Sequence, residues 1–283
     1  MVITLQKDKK VAFLGPENTY SHQASIQLFA DSAIYSPKED FDELIKDVVD
    51  DGSDIGVIPF FNPHEEHIRE CQEKLFVTDL IASDINKLDI KLHLATNGLK
   101  LIEIKQIYSN QHVFKQCDTW LKKNLPDAVQ IPVQSTAGAA ELVRDKKFSA
   151  AICSLDAILS NGLDTIASEI QNIRNFTLFF AIQKRESIPV WGKYSFFSFK
   201  VNGASEKKII LDMLAEHNLV CTQKWSFPHT KDSYMLFFVE VDGMYRDLDT
   251  VSFEAKCKEQ FGDEDFRLIG TFNQSITKLL DKI

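Results

Sequence analysis

Hydrophobic positions along the chain fall into short blocks whose spacing changes character near residue 190. Residues 10–14 (KVAFL) are an apolar run that stops at Gly15-Pro16, and a helical stretch, HQASIQLFA, follows Thr19 and Ser21. That order is strand, loop, helix. Residues 41–50 (FDELIKDVVD) carry Phe41, Leu44, Ile45, Val48 and Val49 at helical spacing, with Gly52 as the stop. Strands are predicted over 55–59, 90–95, 104–108 and 129–133, and a helix over 112–124. Ser135-Thr136 then opens a helix (AGAAELVRD), AAICS is a strand, and LDAILSNG is a helix ending at Gly162. Alternating strands and helices predict an α/β fold with mainly parallel sheets. Two such blocks, about 10–80 and about 90–165, are candidates for paired lobes. Ligands are expected beyond the carboxyl ends of their strands.

Beyond Pro189 the pattern alternates. KYSFFSFKV (193–201) has period two, EKKIILDMLAEHN is helical, and VCTQKWSF and SYMLFFVEV are strands. A helix over 248–261 and a strand FRLIGTF close the unit. The order is βαββαβ, a ferredoxin-like unit. The polar segment 184–192 (KRESIPVWG), with its Pro and Gly, marks the joint.

Composition narrows the function classes. With 44% hydrophobic and 26% charged residues, the 283-residue chain is an ordinary globular protein of two or three compact units. A net charge of −9 argues against a nucleic-acid partner, which needs a basic surface. It also means that an anionic ligand must be held by local devices such as helix N-termini. No run of 18 apolar residues predicts a membrane span, and the N-terminus shows no secretory h-region. The five scattered cysteines, without C-x-x-C, predict reduced thiols, a cytoplasmic location and no zinc.

Four segments could carry chemistry. GPENTYS (15–21) follows a strand and opens a helix, which suits a carboxylate or phosphate; equally, Thr19 or Ser21 caps the helix. QSTAGAAE (134–141) repeats the arrangement in the second block, and two such helix starts facing one cleft would suit a dianion. HEEH (64–67) lacks the spacing of a metal-binding H-E-x-x-H; it is a solvated helix start, or His64 or His67 is a proton donor near neutral pH. NFTLFF (175–180) reads as a buried strand around Thr177. No P-loop, G-x-G-x-x-G or G-x-S-x-G motif is present, and no nucleotide or other cofactor is expected.

Taken in order, these segments resemble the prephenate dehydratases. VAFLGPENTYSHQAS is similar to that family's V-A-x-L-G-P-x-G-T-[FY]-S-x-x-A, and GVIPFFN to G-V-[VI]-P-x-E-N-S. YSNQHVFKQCDTWL is similar to Y-S-H-P-Q-x-x-x-Q-C-x-x-W-L, STAGAA to S-T-A-x-A-A, and NFTLF to N-x-T-R-F. The C-terminal unit resembles the regulatory ACT domain, whose G-A-L and E-S-R-P motifs bind phenylalanine. The resemblance implies a two-lobed, periplasmic-binding-protein-like catalytic domain over 1–188, with lobes about 10–85 plus 165–185 and 86–164. An ACT domain over 189–283 and homodimers or homotetramers complete the expectation. It places Thr19, Ser21, Asn62, Ser135, Thr136 and Thr177 in the cleft, with Thr177 matching the residue most tied to catalysis.

Departures from the family pattern are equally specific. Gly of G-T-F-S is Asn18, Glu of E-N-S is Phe61, and Arg of T-R-F is Leu178. In the ACT-like unit the Glu and Arg of E-S-R-P are Trp225 and Phe227, and Leu of G-A-L is Ser205. Gly203, Asn218, Ser226 and Pro228 remain as candidate contacts for an amino-acid effector. A charged Glu and Arg exchanged for Phe61 and Leu178, with Phe179 beside them, imply an apolar cleft wall. Such a wall favours loss of the ring carboxylate without assistance to the leaving hydroxyl. The expectation is therefore a prephenate lyase, with non-aromatising decarboxylation ahead of dehydration to phenylpyruvate. Thr177 and Asn62 would orient the reacting groups and His64 or His67 deliver the proton. A non-catalytic sensor of a small acid is the reading from another class.

Overall fold

In the computed structural model, which describes residues 8–30, 33–64, 68–187 and 192–281, the strands form two sheets. The first lobe contains β1 (Lys9–Leu14), α1 (Tyr20–Phe29), β2 (Ala33–Lys38), α2 (Phe41–Val49), β3 (Ile55–Phe61), α3 (Arg69–Phe76) and β4 (Leu80–Ile90). The chain then crosses at Lys91-Leu92 into the second lobe. That lobe holds β5 (His93–Thr96), β6 (Gln106–Ser109), α4 (Gln111–Gln116), α5 (Asp118–Asn124), β7 (Val129–Pro132), α6 (Thr136–Val143), β8 (Ser149–Cys153), α7 (Leu155–Ser160) and β9 (Asp164–Ala167). It returns through β10 (Asn175–Lys184) to the first sheet. The C-terminal unit is β11 (Tyr194–Val201), α8 (Ala204–Glu216), β12 (Val220–Pro228), β13 (Met235–Asp242), α9 (Leu248–Phe261) and β14 (Phe266–Phe272), followed by α10 (Ile276–Leu280).

The sheets are mixed, not mainly parallel. β1 pairs parallel with β2 and β3, but β10 runs antiparallel to both β3 and β4. The reason is topological: β4 carries the chain toward the second lobe and β10 carries it back. In the second sheet β6 pairs parallel with β7 and β8, while β5 runs antiparallel to β8 and β9. β9 lies in this sheet, so residues 165–167 belong with the second lobe rather than the first. The helix expected over 112–124 breaks at Cys117 into α4 and α5.

The capped, amphipathic spacing of 41–50 does give a helix. Asp40 accepts from the Glu43 N–H at 2.8 Å, and Phe41, Leu44, Ile45 and Val48 are buried. α2 lies so close to β3 that a Cβ on Gly56 would stand 2.7 Å from Leu44. Strand β10 is buried on both faces. Leu178, Phe180 and Ile182 belong to a core shared with Phe60, Phe196, Phe238 and Phe272. Phe179 and Ala181 belong to another core, with Val11, Val57 and Leu88. The side chains alternate as a strand demands.

The C-terminal strands follow the order β12-β13-β11-β14, antiparallel throughout, around Phe197, Phe199, Leu214 and Phe253. β14 also pairs with β4 at Gly270 and Ala82, which joins this unit to the first sheet. Among the described residues no helix is long and apolar enough to cross a membrane.

Candidate functional site

A cleft of about 210 Å³ opens between the lobes, and the first turns of α1 and α6 both border it. Thr19 caps α1: its Oγ1 accepts from the His22 N–H at 3.3 Å and donates to the Leu14 carbonyl at 3.0 Å. Ser135 caps α6, accepting from the Gly138 N–H at 3.0 Å. Capping therefore uses both hydroxyls, yet the first N–H groups that follow have no acceptor within their helices. Ser21, Thr136, Thr177 and Phe179 line the same cleft. Asn18, at the family's glycine position, has φ of 65°, a left-handed conformation that asparagine tolerates better than most residues. Its carbonyl accepts from Ser154 of the second lobe at 3.4 Å.

The hydroxyl of Thr177 is held by a chain of side-chain amides. Asn62 donates from Nδ2 to Thr177 Oγ1 and to Asn175 Oδ1, each at 2.9 Å. Asn175 donates from Nδ2 to Gln116 Oε1 at 3.0 Å, which links the first lobe to α4 of the second. The sense of the chain is fixed, because Asn62 Oδ1 already accepts the His64 N–H at 2.7 Å. Asn62, Asn175 and Thr177 are all buried. Thr177 thus accepts from the protein and keeps its own proton for a group in the cleft.

Charge is sparse here. Glu39 is the one charged residue among the described residues lining the cleft. Two carboxylates would meet helix N-termini, hydroxyls and amides rather than cations. Burial holds His22 below the usual histidine value, against the raising pull of Glu17 and Asp156. Its Nδ1 accepts the Asn18 N–H at 3.0 Å, and its ring stacks on Phe13. Burial pushes the Cys117 thiol up to about 12, so it offers no thiolate beside the cleft. Among the described residues no group of three or more His, Cys, Asp or Glu could share a metal ion.

Several expected residues sit elsewhere. Leu178 is fully buried on the opposite face of β10 and does not line the cleft. Phe61, its cross-strand neighbour, packs against the same core and stacks on Trp225 of β12, centroids 5.1 Å apart. The apolar wall expected from this pair is therefore absent; strand alternation directs Thr177 and Phe179 into the cleft and Leu178 away from it. His64 borders a neighbouring groove with His112 and Lys115, and only its backbone N–H joins the amide chain. His67 lies outside the described residues. The candidate effector contacts divide: Gly203 precedes α8 and Ser226 accepts from Lys207 Nζ at 2.6 Å, with Pro228 ending β12 nearby in sequence. Asn218 follows the other end of α8, about 20 Å away along a 13-residue helix.

Gln116 and Asn175 belong to the site without being singled out by the sequence. One precedes the Cys of Q-C and the other heads N-x-T. Nothing in their spacing says that the two amides meet across the lobes.

Comparison with known proteins bears on family and fold. A family model described as prephenate dehydratase matches residues 11–187. A bifunctional chorismate mutase/prephenate dehydratase of Aquifex aeolicus is 30% identical over 97% of this chain and 76% of its own length. The crystal structure of the prephenate dehydratase from Staphylococcus aureus is 26% identical, with a TM-score of 0.70, covering 93% of this chain and all of that one. A prephenate dehydratase from Arthrobacter aurescens, solved in complex with L-Phe, has a TM-score of 0.81 at 21% identity, over 95% of this chain and 91% of that one. That last likeness concerns the fold: a two-lobed, periplasmic-binding-protein-like part followed by an ACT-type unit.

Proposed function

The chain belongs to the prephenate dehydratase family, and from that premise we propose that it converts prephenate to phenylpyruvate, carbon dioxide and water. The observation that carries this reading is the fixed polarity around Thr177. The two substrate carboxylates lie on the first turns of α1 and α6. The bond between the ring carbon and its carboxylate breaks, and the electron pair moves through the diene to expel the C4 hydroxyl. The oxygen leaves as hydroxide, accepting from Thr177 a hydrogen bond that strengthens as charge develops there, and takes a proton from solvent to become water. Asn62 faces Thr177 as a donor, so the hydroxyl cannot turn its proton toward that partner. No side chain of the cleft needs an unusual protonation state for this step.

Non-aromatising decarboxylation drew its support from an apolar wall at Phe61 and Leu178. With both side chains on the far side of the sheet, that support is gone. We also place an amino-acid effector at the ACT-type unit, on the strength of the L-Phe complex of the Arthrobacter relative; the homodimeric or homotetrameric assembly rests on the family resemblance alone.

Incubation with prephenate, followed by both substrate loss and the ultraviolet signal of phenylpyruvate, tests the reaction. Stoichiometric phenylpyruvate is the expected result. Substrate loss without it restores the decarboxylase, and intact prephenate leaves a sensor.

A further inference from the structure

We propose that Trp225, contributed by the C-terminal unit, is a positioning residue for the Asn62–Thr177 pair in the cleft, acting through Phe61. The proposal rests on the prephenate reading above for its kinetic test. β3 ends at Phe61, and the next residue is Asn62. The pairing of β3 with β10 also ends there, at Phe61 opposite Leu178, with a register shift just inside it. Backbone pairing alone therefore holds Asn62 weakly. Beside the three hydrogen bonds of the Asn62 side chain, Phe61 supplies a further anchor for this segment by stacking on Trp225, with an interplanar angle of 16°. Trp225 is itself braced edge-on by Phe196, 5.9 Å away, and that ring is fully buried. Phe227 approaches Phe61 at 6.4 Å from the same strand. One rigid aromatic plate from β12 thus sits one residue from the amide that orients Thr177.

The sequence departures point to the same place. Phe61, Leu178, Trp225 and Phe227 each replace a charged residue of the family motifs, and all four meet in one apolar cluster. The replacements in the two units therefore pack against one another in this chain. That packing places the C-terminal unit in the mechanical path to the cleft without any ligand.

The test uses the full chain and follows prephenate turnover and thermal unfolding together. Trp225→Ala is expected to lower kcat on the order of tenfold or more, because small misplacements of a reacting group are costly. KM should stay within about twofold, since the carboxylate-binding helix starts are untouched. Trp225→Phe should restore kcat to within about threefold by keeping the stack. In a Thr177→Ala background, Trp225→Ala should cost nothing further, because the group it positions is gone. Equal losses in both backgrounds, a change in KM alone, or a loss explained by the unfolded fraction would overturn the proposal. If the unmodified protein leaves prephenate intact, the dehydratase reading fails by itself. Hydrogen exchange of the Asn62 side-chain amide then decides: faster in Trp225→Ala and restored in Trp225→Phe supports positioning, and unchanged exchange refutes it.

Discussion

Asn62 can hold Thr177 in only one sense, and that fixes what substitutions at either residue should do. Thr177→Ala should reduce kcat by on the order of a hundredfold or more, as loss of one oriented donor does elsewhere, while Thr177→Ser retains most activity. Asn62→Asp replaces a donor by an acceptor and draws the Thr177 proton away from the cleft; kcat should fall comparably, with KM little changed. Steady-state formation of phenylpyruvate measures both. Leu178 gives the contrasting case. It is fully buried opposite Phe61. Leu178→Arg alone should therefore destabilise the chain by roughly 3–5 kcal/mol, as an unpaired buried charge does. Adding Phe61→Glu should recover part of that loss in denaturant unfolding, through a cross-strand ion pair. A product switch on Leu178→Arg, with stability intact, would contradict this placement.

Helices α1 and α6 carry the binding expectations. Ser135→Ala removes the cap of α6 and should cost about 1 kcal/mol of stability, with a raised KM as the first turn loosens. At the start of α1, burial lowers the pKa of His22, whose Nδ1 accepts the Asn18 N–H. Its folded value lies below that of the unfolded chain, so the unfolded state takes up the proton first. The stability it contributes is complete above about pH 6.5 and declines as the pH falls below it. His93, likewise lowered by burial, adds to the same slope. Melting temperatures measured from pH 7 to 5 should fall, and His22→Gln should flatten part of that decline. The helix starts were legible in the sequence because Thr19 and Ser135 are local capping signals preceding apolar runs. The break at Cys117 was not, since the residues on either side keep helical spacing.

At the scale of the whole molecule, the catalytic and C-terminal units share one core. Phe60 stacks on Phe180, centroids 4.1 Å apart, and meets Phe196 and Phe238 edge-on. Phe60→Ala should cost about 3–5 kcal/mol, and calorimetry should show the wild-type chain unfolding in one transition that this variant splits. The sequence alone indicated the α/β lobes, the βαββαβ unit and most candidates at the cleft: Thr19, Ser21, Ser135, Thr136 and Thr177, with Asn62 standing behind Thr177 rather than lining the cleft. These depend on spacing, capping and motif order, which are local properties of the chain. Tertiary structure decided which face of β10 each side chain takes, and that removed Leu178 and Phe61 from the cleft. It also decided that Gln116 of one lobe completes the amide chain of the other, and that Trp225 lies against Phe61. Those meetings join residues far apart in the chain. They follow from which strand pairs with which, and in what register, information that no short segment contains.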